Sequence, residues 1–162
     1  MITPEHLTGI EFLRDLGEHH LNQIARLARL QEYEEGAVVF RQGEGSPFIY
    51  FVLGGKVGLQ VQEHGGTAVE VSTVGPGELL GWSPVLGRHA MTATAHAVSR
   101  CRLAVLDAGQ MLELCERDPR FGVAFLWQTA MALSDRLWGA RHSLARALRH
   151  QPALATAAEG SD

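Results

Sequence analysis

Eight histidines, two cysteines and thirteen arginines are the residues of this 162-residue chain with the most chemical reach. An iron or zinc site on a jelly-roll barrel needs a His-x-His pair with a distant glutamate and histidine. His19-His20, His64, His89 and His96 do not supply that spacing. Cys101 and Cys115 share no Cys-x-x-Cys spacing, so they read as free thiols and not as zinc ligands or a disulfide framework. No Ser-His-Asp or paired-carboxylate constellation stands out. The chain is therefore read as a binding protein, not an enzyme, with no metal; a cupin-like metalloenzyme is the third-ranked alternative. Arg136, Arg141, Arg146 and Arg149, with His142 and His150, make one late segment basic, but on a helix they spread around the cylinder.

The charge balance points the same way. Fourteen basic residues, of which only Lys56 is a lysine, face eighteen acids, for a net charge of −4. Phosphate backbones demand concentrated positive charge, so direct DNA binding is not expected. No segment reaches eighteen apolar residues, and the start Met-Ile-Thr-Pro-Glu-His lacks a basic-then-apolar leader. The expectation is a cytoplasmic protein with no membrane partner.

The elements that must position any site follow from the glycines. Twelve of the eighteen lie between Gly36 and Gly87, so helix-like ends flank a turn-rich middle. Leu21, Ile24, Ala25, Leu27 and Ala28 recur at three and four residues and predict an amphipathic helix over Glu18 to Leu30. Short β-prone runs follow at 38–40, 48–52, 57–61, 69–74, 92–98 and 102–106, bounded by turn residues. Leu53-Gly54-Gly55-Lys56 and His64-Gly65-Gly66-Thr67 place glycine pairs where hairpins need positive φ. About eight strands are expected, in an antiparallel jelly roll.

After Asp107 the pattern turns helical, over Ala108 to Glu116 and again from Pro119, a good first-turn residue, to about residue 150. Leu126, Ala130, Leu133, Leu137, Ala140, Leu144 and Ala147 keep a 4-3 spacing, the seam of a two-helix contact. A homodimer through this helix is expected, with Trp127, Met131 and Trp138 as a second stripe free to pack on the β-roll. The domain is placed at 1–150 and a flexible tail at 151–162.

This order resembles the effector domain of the Crp/Fnr and protein-kinase-A regulatory families, the cyclic-nucleotide-binding type. The resemblance rests on Phe12-Leu13-Arg14-Asp15-Leu16, on 36–43 (Gly-Ala-Val-Val-Phe-Arg-Gln-Gly), and on 48–57, which ends Leu53-Gly54-Gly55-Lys56-Val57. It implies a mainly β fold with flanking helices: a cyclic-nucleotide-binding-like double-stranded β-helix (jelly roll) plus a long C-terminal dimerisation helix. Pro76-Gly77-Glu78-Leu79-Leu80-Gly81-Trp82-Ser83-Pro84-Val85-Leu86 and Thr92-Ala93-Thr94-Ala95 fall where the family carries its phosphate-binding cassette. In such a cassette a short helix after a glycine turn aims N–H groups at the anion and an arginine closes the charge.

The resemblance implies ligand contacts at Leu80, Gly81, Trp82, Ser83, Arg88, Met91, Thr92 and Ala93. It also implies base contacts from the long helix at Ala140 and Arg141. Two positions depart from the pattern: Trp82 stands where the family has the sugar-binding glutamate, and Met91 where it has the phosphate-binding arginine. The cassette is therefore degenerate and need not take cyclic AMP; the ligand it points to is a cyclic nucleotide or another small anionic molecule. Arg88 is the candidate substitute cation.

The reading that follows is a stand-alone regulatory or sensor module, dimeric, signalling through a partner protein. The family's transcription factors continue into a helix-turn-helix domain, and this chain stops about ten residues after its long helix, so operator binding is not expected. The alternative is an interaction or assembly protein that keeps the fold without a ligand, with Trp82 and Met91 as core.

Overall fold

In the computed structural model of the chain, residues 2–63, 65–88 and 90–150 are described, the side chain of His150 excepted. The predicted tail 151–162, and His64 and His89 of the histidine census, lie outside them.

The chain opens with α1 (Pro4–Thr8) and a 3-10 turn at Glu11–Leu13, followed by α2 (Glu18–Leu27). Eight strands follow: β1 (Arg29–Tyr33), β2 (Val38–Phe40), β3 (Phe48–Gly54), β4 (Val57–Val61), β5 (Val69–Val74), β6 (Leu79–Leu80), β7 (Thr94–Ala97) and β8 (Cys101–Asp107). Two helices close the domain, α3 (Ala108–Arg117) and α4 (Pro119–His150). The strands form two four-stranded antiparallel sheets, ordered β1-β8-β3-β6 and β2-β7-β4-β5. This is the expected jelly roll.

Strands β3 and β8 explain why the sequence shows a continuous apolar run at 48–52 instead of an alternation. Tyr50 and Val52, with Leu103 and Val105, face the second sheet, while Ile49 and Phe51, with Ala104 and Leu106, face the helices. Both faces are covered, so both sets of alternate side chains are apolar. The β3–β4 hairpin depends on Gly55, at φ 82°, where a Cβ would sit 2.3 Å from the Arg100 carbonyl oxygen. No other residue fits there.

One expectation is corrected and two elements are added. The helix over Glu18 to Leu30 stops at Leu27: Ala28 is extended, and Arg29 to Tyr33 pair antiparallel with β8. This edge strand is exposed along most of its length, so it carries no alternation for a sequence to reveal. Leu79–Leu80 form a two-residue strand against Tyr50 and Phe51 that no pattern marked. Pro4–Thr8 form a further turn of helix, closed by a Thr3–His6 capping box.

The third helix is capped by Asp107, whose side chain accepts from the Gln110 N–H at 3.0 Å. At the break before α4, Asp118 accepts from the N–H groups of Arg120 and Phe121, at 3.1 and 3.2 Å. His20 Nε2 lies 2.9 Å from the same carboxylate and ties α2 to the start of α4.

The packing face of α4 also differs from expectation. Trp127, Met131 and Trp138 do not pack on the roll; they are 66%, 46% and 65% exposed. Phe121, Phe125 and Thr129 are buried instead, with Ala132 partly covered. Phe125 meets the Phe12 ring edge-on at 5.6 Å, and Phe12 in turn meets Phe51 at 5.3 Å. Of the predicted seam, Leu126, Ala130, Leu137, Ala140 and Leu144 are exposed and Leu133 is half-buried. From residue 140 to 149 every side chain of α4 is exposed.

Candidate functional site

The site is built where β6 leaves the first sheet. Gly81 turns the chain at φ 74°, and a Cβ there would lie 3.1 Å from Tyr50 Cδ2 and 3.3 Å from the Phe48 carbonyl oxygen. Glycine is what lets the segment hug β3. From Trp82 to Arg88 the backbone runs in overlapping turns: Val85 N–H donates to Trp82 O at 3.0 Å, and Leu86 and Arg88 N–H donate to Ser83 O at 3.2 and 2.9 Å. The expected short helix is thus a turn stack without regular helical assignment. Pro84 has no N–H to donate, and Gly87 at φ 70° turns the chain away.

The other wall comes from the segment before β7. Met91 is 3% exposed; its N–H donates to Glu44 O at 2.9 Å and its carbonyl accepts from Gly43 N–H at 2.8 Å. The Gln42 N–H donates to Thr94 Oγ1 at 3.0 Å. The β2–β3 loop thereby fixes 91–94 beside the turn stack.

Leu80, Gly81, Trp82, Ser83, Met91, Thr92 and Ala93 line one cavity, joined by Phe40, Leu59 and Arg136. The sequence-predicted set is brought together at these seven positions. Arg88 is exposed and does not line the cavity, and neither do Ala140 and Arg141, which are exposed on α4. The cavity measures about 30 Å³, room for about two water-sized groups, whereas sites for drug-sized ligands run to roughly 300–1,000 Å³. In this conformation the cassette is a shallow cavity, half open to solvent.

One wall is Arg136, which reaches down from α4. Its guanidinium carbon lies 4.1 Å from the centroid of the Trp82 ring, a cation–π contact. Its Nη2 donates to the Leu79 carbonyl oxygen of β6. Nη1 is buried with no acceptor, and among the described residues no carboxylate forms an ion pair with the group. Burial pushes the guanidinium down to about 10, partly opposed by the charge of Glu78. The Glu78 carboxylate is itself engaged, accepting from the Gly75 N–H at 2.7 Å.

Arg136, with Phe40 and Leu59, is a site residue that the sequence analysis missed, having counted it among scattered helix cations. A signal existed. Phe121, Phe125, Thr129, Ala132 and Arg136 follow the 4-4-3-4 rhythm of one buried helix face, with a cation at the end of an apolar stripe. Beside it a larger groove of about 630 Å³ runs between the 3-10 turn and α4, past Asp15, Glu78, Trp127 and Asp135. Among the described residues no group of three or more His, Cys, Asp or Glu side chains is placed to hold a metal ion.

Residues 30–118 match the family described as cyclic nucleotide-binding domain. Among curated proteins, one from Rhodopseudomonas palustris named as a potassium channel is 37% identical over 97 residues, 59% of this chain and 23% of that protein. The patatin-like phospholipase domain-containing protein 7 of Rattus norvegicus is 33% identical over 55% of this chain and 7% of its own length. The chain thus spans under a quarter of the curated relatives it matches. Among solved structures, a Geobacter metallireducens protein named for cyclic nucleotide binding superposes with a TM-score of 0.75 at 25% identity, over 85% of this chain and 99% of that one. The Thermus thermophilus catabolite activator protein gives 0.69 at 28%, over 83% and 61%. The regulatory subunit of a cAMP-independent protein kinase A from Trypanosoma brucei gives 0.61 at 25%, over 78% and 49%. No helix among the described residues is long and apolar enough to cross a membrane.

Proposed function

Because the chain belongs to the cyclic nucleotide-binding domain family, we propose that it is a dimeric regulatory module, with no catalysis of its own, whose cassette reads a small ligand other than cyclic AMP. One observation carries this reading. The helix that sends Arg136 onto Trp82 in the cassette is the same helix that holds Leu126, Leu137 and Leu144 on its exposed face. A ligand that displaces Arg136 removes a contact between α4 and the roll, so pocket and interface share one element. Coupling of this kind needs only a difference in ligand affinity between two positions of the helix.

The choice of a second copy as the covering partner rests on the seam's 4-3 spacing and on its exposed leucines, a row that continues to Leu148. The departure from cyclic AMP rests on Trp82 and Met91, and the Trypanosoma brucei relative, named as cAMP-independent, is a precedent within the fold. The signal passes through the dimer helix to a partner protein. The competing reading is an interaction module without a ligand, and the small cavity with Met91 in the core favours it.

Light scattering on the purified chain, with thermal-shift titrations against cyclic AMP, cyclic GMP and cyclic dinucleotides, tests the reading. A dimer that ignores cyclic AMP is the expected result. A monomer at tens of micromolar removes the dimer, and a saturable cyclic AMP shift removes the assigned departure.

A further inference from the structure

No arginine of the cassette segment itself lines the cavity, yet one is delivered into it from α4, and that guanidinium has a donor to spare. Arg136, partly buried, lines the cavity, stacks on Trp82, donates Nη2 to Leu79 O and leaves Nη1 buried without an acceptor. A buried N–H without an acceptor is costly. The charge of Glu78 favours the guanidinium, but its carboxylate accepts from the Gly75 N–H and makes no ion pair with Arg136. The orphan Nη1 is a donor that an anion would satisfy.

The cavity says how large. Its volume of about 30 Å³ holds about two water-sized groups, and its open side leaves room for the rest of a compact anion; Ser83 and Thr92 add hydroxyls to the otherwise apolar walls of Phe40, Leu59, Leu80 and Met91. Trp82 covers one face of the guanidinium, so an anion must approach along its edge, the direction in which planar oxyanions form paired hydrogen bonds. We propose that the cassette binds a compact planar monoanion of three or four heavy atoms, a small carboxylate or an inorganic oxyanion, with Arg136 of α4 as its cationic partner. Binding turns the guanidinium from the Leu79 carbonyl toward the anion and so biases the position of α4. The inference rests on the regulatory reading above and names the ligand class for its site.

The test uses the full chain in thermal shift and intrinsic tryptophan fluorescence, titrated with sodium formate, acetate, nitrate and bicarbonate at ionic strength held constant with chloride. The expected result is a saturable rise, about 3–5 °C at ten times the dissociation constant, with a fluorescence change from Trp82. Carboxylates acting alone identify a metabolite acid, and nitrate or bicarbonate acting alone an inorganic ion. Arg136→Met abolishes the response, Arg136→Lys weakens it, and Arg117→Met on α3 leaves it intact. Because Arg136→Met could fold poorly, the conservative Arg136→Lys is read alongside, and an undiminished shift in it also counts against the proposal; Trp82→Phe serves only to assign the fluorescence change. Absence of any shift beyond chloride, or an undiminished shift in folded Arg136→Met, overturns the proposal. A cyclic-nucleotide shift without an anion shift overturns the ligand class and leaves the regulatory module standing; a monomeric chain silent to every ligand defeats both.

Discussion

The guanidinium of Arg136 sits 4.1 Å above the ring of Trp82 while its Nη2 holds the Leu79 carbonyl. Two residues 54 positions apart thus join the long helix to the turn that leaves β6. Neither has a carboxylate in the contact, so a partly buried charge is held by a ring face and one carbonyl, with the charge of Glu78 as further support.

That arrangement is costly. Lowering an arginine from 12.5 to about 10 corresponds to roughly 2–3 kcal/mol after allowing for partial exposure. The stacking and the hydrogen bond each return about 1 kcal/mol. Arg136→Met, of similar reach and no charge, is expected to raise stability by about 1 kcal/mol, measured as a higher midpoint in urea at unchanged slope. A lower midpoint means that the guanidinium is better compensated than its contacts indicate.

Met91 fills the position at which the resemblance implies an arginine, and it is 3% exposed beside Arg136. Met91→Arg brings a second buried cation against the first and is expected to cost about 3 kcal/mol. Thermal denaturation with and without cyclic AMP checks it. Unchanged stability, or rescue by cyclic AMP, means that the pocket opens far enough to house both charges.

Gly81 combines φ 74° with a Cβ position 3.1 Å from the Tyr50 ring. Gly81→Ala is expected to cost about 1–3 kcal/mol and to loosen the Trp82 turn stack. The same change at Gly36, at φ 83° with open space around it, is expected to cost less, near 1 kcal/mol. Equal costs at the two sites contradict the crowding assigned to Gly81.

On α4, Leu137 and Leu144 are 52% and 60% exposed. Replacing both by glutamate leaves the single-chain fold intact and, if the seam joins two copies, yields monomers by light scattering. The thermal midpoint, dependent on concentration in the dimer, is independent of it in the variant. A variant that stays dimeric moves the interface off this seam.

Asp118 is held below its ordinary carboxyl value of 3.8, first by the hydrogen bond from His20 and then by the Phe121 N–H. The depressed folded value means that its contribution is complete above about pH 4 and is lost as pH falls through the folded value. Asp118→Asn is expected to flatten that acid limb of the stability profile. An unchanged limb assigns the acid sensitivity to other carboxylates.

The sequence by itself determined the jelly roll, the glycine hairpins and the break at Asp118-Pro119, because each is written in local chemistry; seven of the cavity residues came from the resemblance to the cyclic-nucleotide-binding type. Glycines mark positive φ, the apolar runs mark strands covered on both faces, and proline restarts a helix. Edge strand β1 left no trace, since its side chains face solvent and its identity comes only from pairing with β8. Which stripe of α4 would turn inward was equally hidden: the seam and the Trp127–Met131–Trp138 stripe are both apolar, and Phe121 and Phe125 took the contact because they start the helix under Phe12. That rotation carried Arg136 into the cassette and kept Ala140 and Arg141 out. Spacing along a chain fixes what shares a helix face; only the packing of that helix on the roll decides which face, and therefore which cation, meets the pocket.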